Sequence, residues 1–202
     1  MVNMRVLKFA YRNDAASKCI SEAFDRVIVQ EPVNFDRVEL HLGHGGTSLS
    51  NGIAKLCVDS SSDIFKDHDS AVAETAVRFE LFRLMIKKIY DVPRLTEDVL
   101  VGREMIKKGF SEDLARMLHA FVACQRVIDL ESYIKINLPW IIFYADEFQA
   151  GFFRSMSEKR HNKRYDSIAK KFFAALQKDL QNNKNLNSVV KQEMKIRADN
   201  KI

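Results

Sequence analysis

The segment from Ser70 to Tyr90 is the sequence feature that most constrains the fold. Its sequence, SAVAETAVRFELFRLMIKKIY, contains neither Gly nor Pro, and Pro93 soon follows, which cannot continue a helix. At 100° per residue, apolar side chains centred on Phe79, Phe82 and Ile86 share one broad face, and a second apolar face lies opposite. A helix that is apolar on two faces has to pack between two layers. The segment therefore predicts a buried central helix.

Polar side chains occupy only a narrow part of this helix. Glu80, Arg83 and Lys87 follow at i, i+3 and i+7, so this stripe is expected to face a cleft or solvent. On the other side, Glu74 and Arg78 have the spacing of an intrahelical ion pair.

The first sixty residues alternate as strands do and predict a small sheet. Strands are expected at 4–11, 38–42 and 53–58, with a helix over 15–30 between the first two. Strands joined through a helix should be parallel with a right-handed crossover. Asn51-Gly52 predicts a tight turn before the last strand. The order is β-α-β-β.

The chain after the central helix is expected to be wholly helical. Thr96 and Ser111 are the predicted caps of two helices, the second running to about Lys135, and Pro139 is predicted to open a third through Ser155. A basic helix is predicted over 163–180. The fold class is therefore α+β, a small mixed sheet with a long central helix and a helical C-terminal half. The predicted units are an α+β core (1–92), a helical extension (93–180) and a polar tail (181–202), either a frayed helix or flexible.

Positive charge is concentrated near the end of the sequence. Residues 154–202 contain 13 Lys and Arg against 5 Asp and Glu, whereas residues 1–153 contain 19 against 22. We expect this segment to be a separable basic surface that docks on the acidic body without supplying the core. Ending the chain at Lys184 should then leave folding cooperative.

Composition excludes several classes of protein. The three cysteines share no close spacing, which argues against a disulfide framework and against a Cys-x-x-Cys zinc site. The start of the sequence has no long apolar segment, and the apolar stretch over 138–153 is interrupted by charges. We expect a cytoplasmic protein with no membrane association and no cofactor.

The centre of the long helix, Phe79-Glu80-Leu81-Phe82-Arg83, resembles the zinc-binding helix of the minimal zincin-type metallopeptidase scaffold. The resemblance covers roughly residues 1–92. In that family the helix carries His-Glu-x-x-His, whose histidines bind zinc and whose Glu activates water. Glu80 matches the general base, whereas Phe79 and Arg83 stand where the ligands would be. The resemblance implies a degenerate member without peptidase activity; otherwise the segment is plain core helix with a solvated Glu80–Arg83 pair.

The glycine-rich segment after the second strand is the first place to expect a ligand. Residues 43–52 hold four of the seven glycines, and backbone N–H groups of such a loop would wrap an anion. A flexible hairpin connection explains the same residues. The candidate ligand-binding residues are His44, Gly45, Gly46, Ser48, His68 and Arg83.

Two further functions remain open. A metal-dependent hydrolase would use His41, His44, Asp67, His68 and Asp69, although Asp67 or Asp69 is equally natural at a helix N-terminus. Nucleic-acid binding would use Lys159, Arg160, Lys163 and Arg164.

A non-catalytic interaction or scaffold protein is the main prediction, with a protein partner or a second copy of the chain. The aromatic stripe of Trp140, Phe143, Tyr144 and Phe148 is either core or the interface for that partner.

Overall fold

The structure is a computed structural model that describes residues 5–10, 14–31, 35–43, 45–160, 162–181 and 186–200. Within these ranges the chain forms one sheet and eight α-helices. The strands are β1 (Arg5–Ala10), β2 (Arg37–Leu42), β3 (Ser48–Ser50) and β4 (Ile53–Val58). The helices are α1 (Ala15–Gln30), α2 (Ser70–Ile89), α3 (Arg94–Lys107), α4 (Ser111–Cys124), α5 (Leu130–Ile142), α6 (Glu147–Glu158), α7 (Lys163–Gln181) and α8 (Asn187–Asn200). The predicted α+β class with a helical C-terminal half is confirmed. None of these helices combines the length and apolar character that a membrane span needs.

The four strands are arranged in the order β1-β2-β4-β3. The parallel pairing of β1 with β2 is confirmed, β4 continues it, and β3 pairs antiparallel with β4 at the edge. Strand β3 was predicted as loop, because three residues are too few to show an alternating pattern. The predicted turn is confirmed: Ser50 pairs with Ile53, and Asn51 and Gly52 adopt φ of 49° and 76°.

Helix α2 has the buried position that its two apolar faces predict. Phe82 and Ile86 on the broad face are 1% and 6% exposed, and Leu84 on the second face is fully buried. The last turn differs, because Ile89 and Tyr90 are exposed although the wheel places them on the broad face.

Ion pairs join α2 to α1 where an intrahelical pair was predicted. Glu74 Oε1 lies 2.5 Å from Arg26 Nε, and Arg78 Nε lies 2.9 Å from Glu31 Oε1. The expected Glu74–Arg78 pair is wrong, because each side chain meets an opposite charge on the neighbouring helix. These two contacts fix the register of α1 against α2.

After α3, helices α4 to α6 begin and end at other residues than those predicted from the sequence. Helix α4 ends at Cys124, and a capping box of Asp129 and Ser132 starts α5. Pro139 lies inside α5 instead of opening a helix, and the predicted aromatic stripe is broken between α5 and α6. Phe143 is therefore buried at 2% exposure, while Phe148 is 80% exposed on α6.

The two C-terminal helices supply part of the core. Phe172 and Leu176 of α7 and Val189 of α8 are fully buried and belong to the same hydrophobic cluster as α1 and α2. The prediction that residues 154–202 do not supply the core is therefore wrong. The apolar side of α8 was not recognised in the sequence, because its buried residues Val189 and Ile196 stand two helical turns apart among polar residues.

A carboxylate of α8 caps α3. Glu193, which is fully buried, accepts hydrogen bonds from Leu95 N (3.0 Å), Thr96 N (2.9 Å) and Thr96 Oγ1 (2.7 Å). Arg197, one turn later, donates to Glu193 at 3.1 Å. The predicted capping role of Thr96 is wrong: α3 begins at Arg94, and its free N–H groups bind a side chain distant in sequence.

Candidate binding site at the central helix

A cavity of about 300 Å³ lies beside α2, between the end of β4, the turn at residues 62–65 and helices α3 to α5. Three residues singled out from the sequence, Gly45, Glu80 and Arg83, line it together. Most of its wall is apolar, formed by Val58, Ile64, Phe65, Ala76, Phe79, Met117, Leu118, Phe121, Leu138, Pro139 and Ile142. The polar groups of the wall are concentrated where α2 meets α3.

Arg83 is the centre of this polar wall. Its side chain is 2% exposed, its Nε donates to Glu80 Oε2 at 2.8 Å, and its Nη1 donates to Asp98 Oδ1 at 2.6 Å. Glu97 Oε2 lies 3.5 Å from the same Nη1. A guanidinium thus contacts three carboxylates from two helices, and the interpretation of Glu80 and Arg83 as a solvated pair is wrong.

Two more cations complete the cluster on its outer side. Arg94 lies 3.8 Å from Glu80 and 3.5 Å from Asp98, and Lys87 lies 3.8 Å from Glu97. Their side chains are 40% and 35% exposed. We call these six residues, Glu80, Arg83, Lys87, Arg94, Glu97 and Asp98, the ion cluster. Its three positive and three negative side chains cancel.

Burial and charge act in opposite directions on the pKa values of the ion cluster. Burial alone would lower the pKa of Arg83, but the carboxylates of Asp98 and Glu80 outweigh it and raise the pKa above its ordinary value. Burial raises the pKa of Glu97, against the opposing effect of Arg83. In the part of the chain that the structure describes, Glu97 Oε1 has no hydrogen-bond partner, since Lys87 Nζ lies 3.8 Å away. Glu97 is therefore the least satisfied member.

The two positions that would carry zinc ligands in the resembled helix contact each other. The guanidinium carbon of Arg83 lies 5.2 Å from the ring centre of Phe79, a cation–π distance. A phenyl ring has no lone pair for a metal, and a guanidinium remains positively charged. This pair therefore offers no ligand to a cation.

The glycine-rich loop lies against β4, and Gly45 and Cys57 line the cavity there. Cys57 N donates to Thr47 Oγ1 at 3.0 Å, which holds the loop where β3 no longer pairs with β4. A Cβ on Gly45 would come within 3.2 Å of Cys57 Sγ, so only glycine allows this approach without a shift. Burial raises the pKa of Cys57, so its thiol is a poor nucleophile at neutral pH.

Three further ligand-binding candidates, Gly46, Ser48 and His68, do not line the cavity. Gly46 has open space around its Cα, and Ser48 is exposed on the edge strand. His68 has φ of 53° at the turn before α2, and its carbonyl accepts from Cys19 Sγ at 3.4 Å. His44 lies outside the described residues.

Two of the side chains proposed for a metal-dependent hydrolase, His41 and Asp69, have other partners. His41 Nε2 lies 2.9 Å from Glu39 Oε2, and its ring stacks on Phe9 at 4.6 Å. Asp69 caps α2, accepting from Ala71 N at 2.8 Å. In the part of the chain that the structure describes, no three His, Cys, Asp or Glu side chains are grouped to hold a metal ion. The hydrolase stays a prediction.

The basic segment offers three exposed cations to a nucleic acid. Lys159, Lys163 and Arg164 are exposed, whereas Arg160 donates to the carbonyl oxygens of Val122 and Ala123 and so closes the end of α4. One of the four predicted contacts therefore has a structural role. Nucleic-acid binding also stays a prediction.

Sequence analysis missed the contribution of α3 and α5 to the site. Arg94 and Asp98 stand four residues apart and face α2, and Lys135 reaches the cavity from α5. The i, i+4 spacing was a usable signal for the first two. For Lys135 the sequence carries no signal, because its place depends on how α5 packs.

Comparison with known proteins gives no relative: no family model, no curated protein and no solved structure matches the chain significantly.

Proposed function

We propose that this chain is a non-catalytic binding protein on a degenerate zincin-like scaffold, with an interaction role in place of turnover. The observation that carries the proposal is the position of Arg83. Its guanidinium occupies the helix position that a zinc ligand would need, and it holds Glu80 by a 2.8 Å hydrogen bond. A buried permanent cation repels a second cation at the same place.

The state of Glu80 supports the absence of hydrolysis. In the resembled family the general base acts on a zinc-bound water, and Phe79 and Arg83 would hold no zinc beside Glu80. Glu80 Oε2 is engaged by Arg83, and its Oε1 faces Arg94 at 3.8 Å. Glu80 therefore serves the ion cluster.

The order of elements supports the scaffold assignment. Helix α2 follows a β-α-β-β-β unit, one short edge strand more than the resemblance implies, and lies between the sheet and the C-terminal helices. The cavity borders α2 on the side of Phe79, Glu80 and Arg83. Binding in that cavity is thus a function that the fold retains without a metal.

Hydrolysis of a protein substrate tests the proposal. We expect no cleavage of casein or of a mixed peptide library, with or without added zinc or manganese. Glu80→Ala should behave like the wild type in this assay. Metal-stimulated cleavage that disappears in Glu80→Ala would contradict the proposal, and cleavage that disappears in His41→Ala would favour the hydrolase alternative.

A further inference from the structure

The charged side chains that line the cavity leave no net charge for a ligand to balance. Its lining holds three cations, Arg83, Arg94 and Lys135, and three carboxylates, Asp59, Glu80 and Asp98. Arg83 bridges Glu80 and Asp98, and Lys135 pairs with Glu131 at 2.6 Å. Bringing an ion into such a wall removes its hydration without supplying a counter-charge, which is unfavourable.

The rest of the wall matches an apolar body. Phe65, Leu118 and Leu138 are 3–8% exposed, so each presents a small part of its apolar surface to the cavity. A volume of about 300 Å³ is at the lower end of the range for small-molecule sites, which are mostly apolar with a few polar groups.

The polar wall then supplies orientation. Glu80 Oε1 lies 3.8 Å from Arg94, beyond hydrogen-bond distance, and the Arg94 side chain, which also lines the cavity, is 40% exposed. An acceptor and a donor therefore stand side by side where the cavity meets solvent. A hydroxyl or an amide can use both without carrying charge.

We infer that this cavity binds an uncharged, largely apolar small molecule, with one hydrogen-bonding group placed between Glu80 and Arg94. This inference rests on the proposed binding function and specifies its ligand class. Of three sources of ligand affinity, apolar surface and hydrogen bonding favour binding in this cavity, whereas charge does not.

Three naphthalene probes of matched size test the ligand class. Calorimetric titration of the full chain at pH 7 would compare 2-naphthol, which is neutral, with 2-naphthoate and 2-naphthylmethylammonium. We expect saturable binding of 2-naphthol and at least about tenfold weaker binding of both ions. Equal or tighter binding of either ion, or no binding of 2-naphthol, would overturn the inference.

Variants locate the site. Ala76→Met places a longer side chain into the cavity from α2 and should abolish binding of 2-naphthol, whereas Ala123→Met, at an exposed position outside the lining, should not. Leu138→Phe fills the cavity from α5 and replaces Ala76→Met if that variant does not fold. Binding unchanged in a folded cavity-filling variant would place the probe elsewhere and overturn the inference. A failed probe series with no peptidase activity would refute only the ligand class, whereas metal-dependent cleavage would refute the proposed function.

Discussion

Arg83 combines near-complete burial with contacts to Glu80, Asp98 and Glu97. Removing a guanidinium from such a place leaves carboxylates without a counter-charge in a poorly hydrated site. The cost of a broken buried pair arises mainly from this stranded charge, whatever the net value of the intact pair. The polar wall of the cavity therefore depends on Arg83.

Arg83→Met should lower the free energy of unfolding by about 3–5 kcal/mol. Arg83→Lys should lie between this variant and the wild type, because it retains the charge but loses the planar donor geometry. Urea denaturation measures both. The control is Arg116→Met at an exposed position of α4, expected within about 0.5 kcal/mol of the wild type. A loss for Arg83→Met as small as that of the control would contradict the assignment.

Glu97 predicts a pH dependence of stability with a definite sign. Burial raises its pKa above the ordinary value of 4.5, so the folded state binds a proton at this carboxyl more readily than the unfolded chain. This contribution to stability is therefore largest below pH 4.5 and is lost as the pH rises through the folded-state pKa. As the pH increases through this range, Glu97→Gln, whose side chain cannot ionise, should become more stable relative to the wild type.

Urea melts of Glu97→Gln and wild type at a series of pH values measure this difference. Glu112→Gln, at an exposed position of α4, is the matched control and should show no such trend. A difference that stays constant, or that changes in the opposite direction, would show that Glu97 is not held in an unfavourable ionised state.

At the scale of elements, α3 depends on α8. Its N-terminus begins after Pro93 without a side-chain cap of its own, and Glu193 supplies the missing acceptors from α8. The capped residues, Leu95 and Thr96, follow directly on Arg94 of the ion cluster. The first turn of α3 therefore connects α8 to the polar wall of the cavity.

Glu193→Ala should lower the free energy of unfolding by about 2 kcal/mol, the upper range for loss of an N-cap. Glu193→Gln should lose less, because an amide oxygen can still accept from the backbone N–H groups. The control is Glu158→Ala on the exposed side of α6, where we expect a change within about 0.5 kcal/mol. Equal effects of Glu193→Ala and Glu158→Ala would show that α3 does not need this cap.

Elements defined by local signals were predictable from the sequence. Helix α1 has the expected bounds, with Asp14 capping Ser17 N at 2.8 Å, and β4 has the expected bounds after its Asn-Gly turn. The break between α4 and α5 was missed, because residues 125–129 contain no Gly or Pro. The ion cluster was only half predictable: the stripe on α2 is periodic, but its partners depend on the packing of α3.

At the scale of the whole molecule, the hydrophobic core crosses the predicted division at residues 92 and 180. Buried side chains from α1, α2, α5, α7 and α8 belong to one cluster. The three predicted units stay a prediction, but their contributions to the core are shared. The basic C-terminal segment therefore combines an exposed cationic surface with structural contacts.

Ending the chain at Lys184 should destabilise it, against the expectation from charge alone. The truncation removes Val189 and Ile196 from the core and Glu193 from the start of α3. Hydrogen exchange should show faster exchange of the Leu95 and Thr96 amides in the truncated chain, together with a lower melting temperature. Unchanged protection of both amides would restore the hypothesis of a separable tail.

In the proposed function, Arg83 and its carboxylates take the place of a metal centre on α2. Elemental analysis of the full chain, purified without chelator and dialysed against zinc, tests it most directly, with Glu80→Ala and His41→Ala prepared in parallel. We expect no stoichiometric zinc that depends on Glu80. One tightly held zinc per chain in the wild type, absent from Glu80→Ala and retained in His41→Ala, would contradict it.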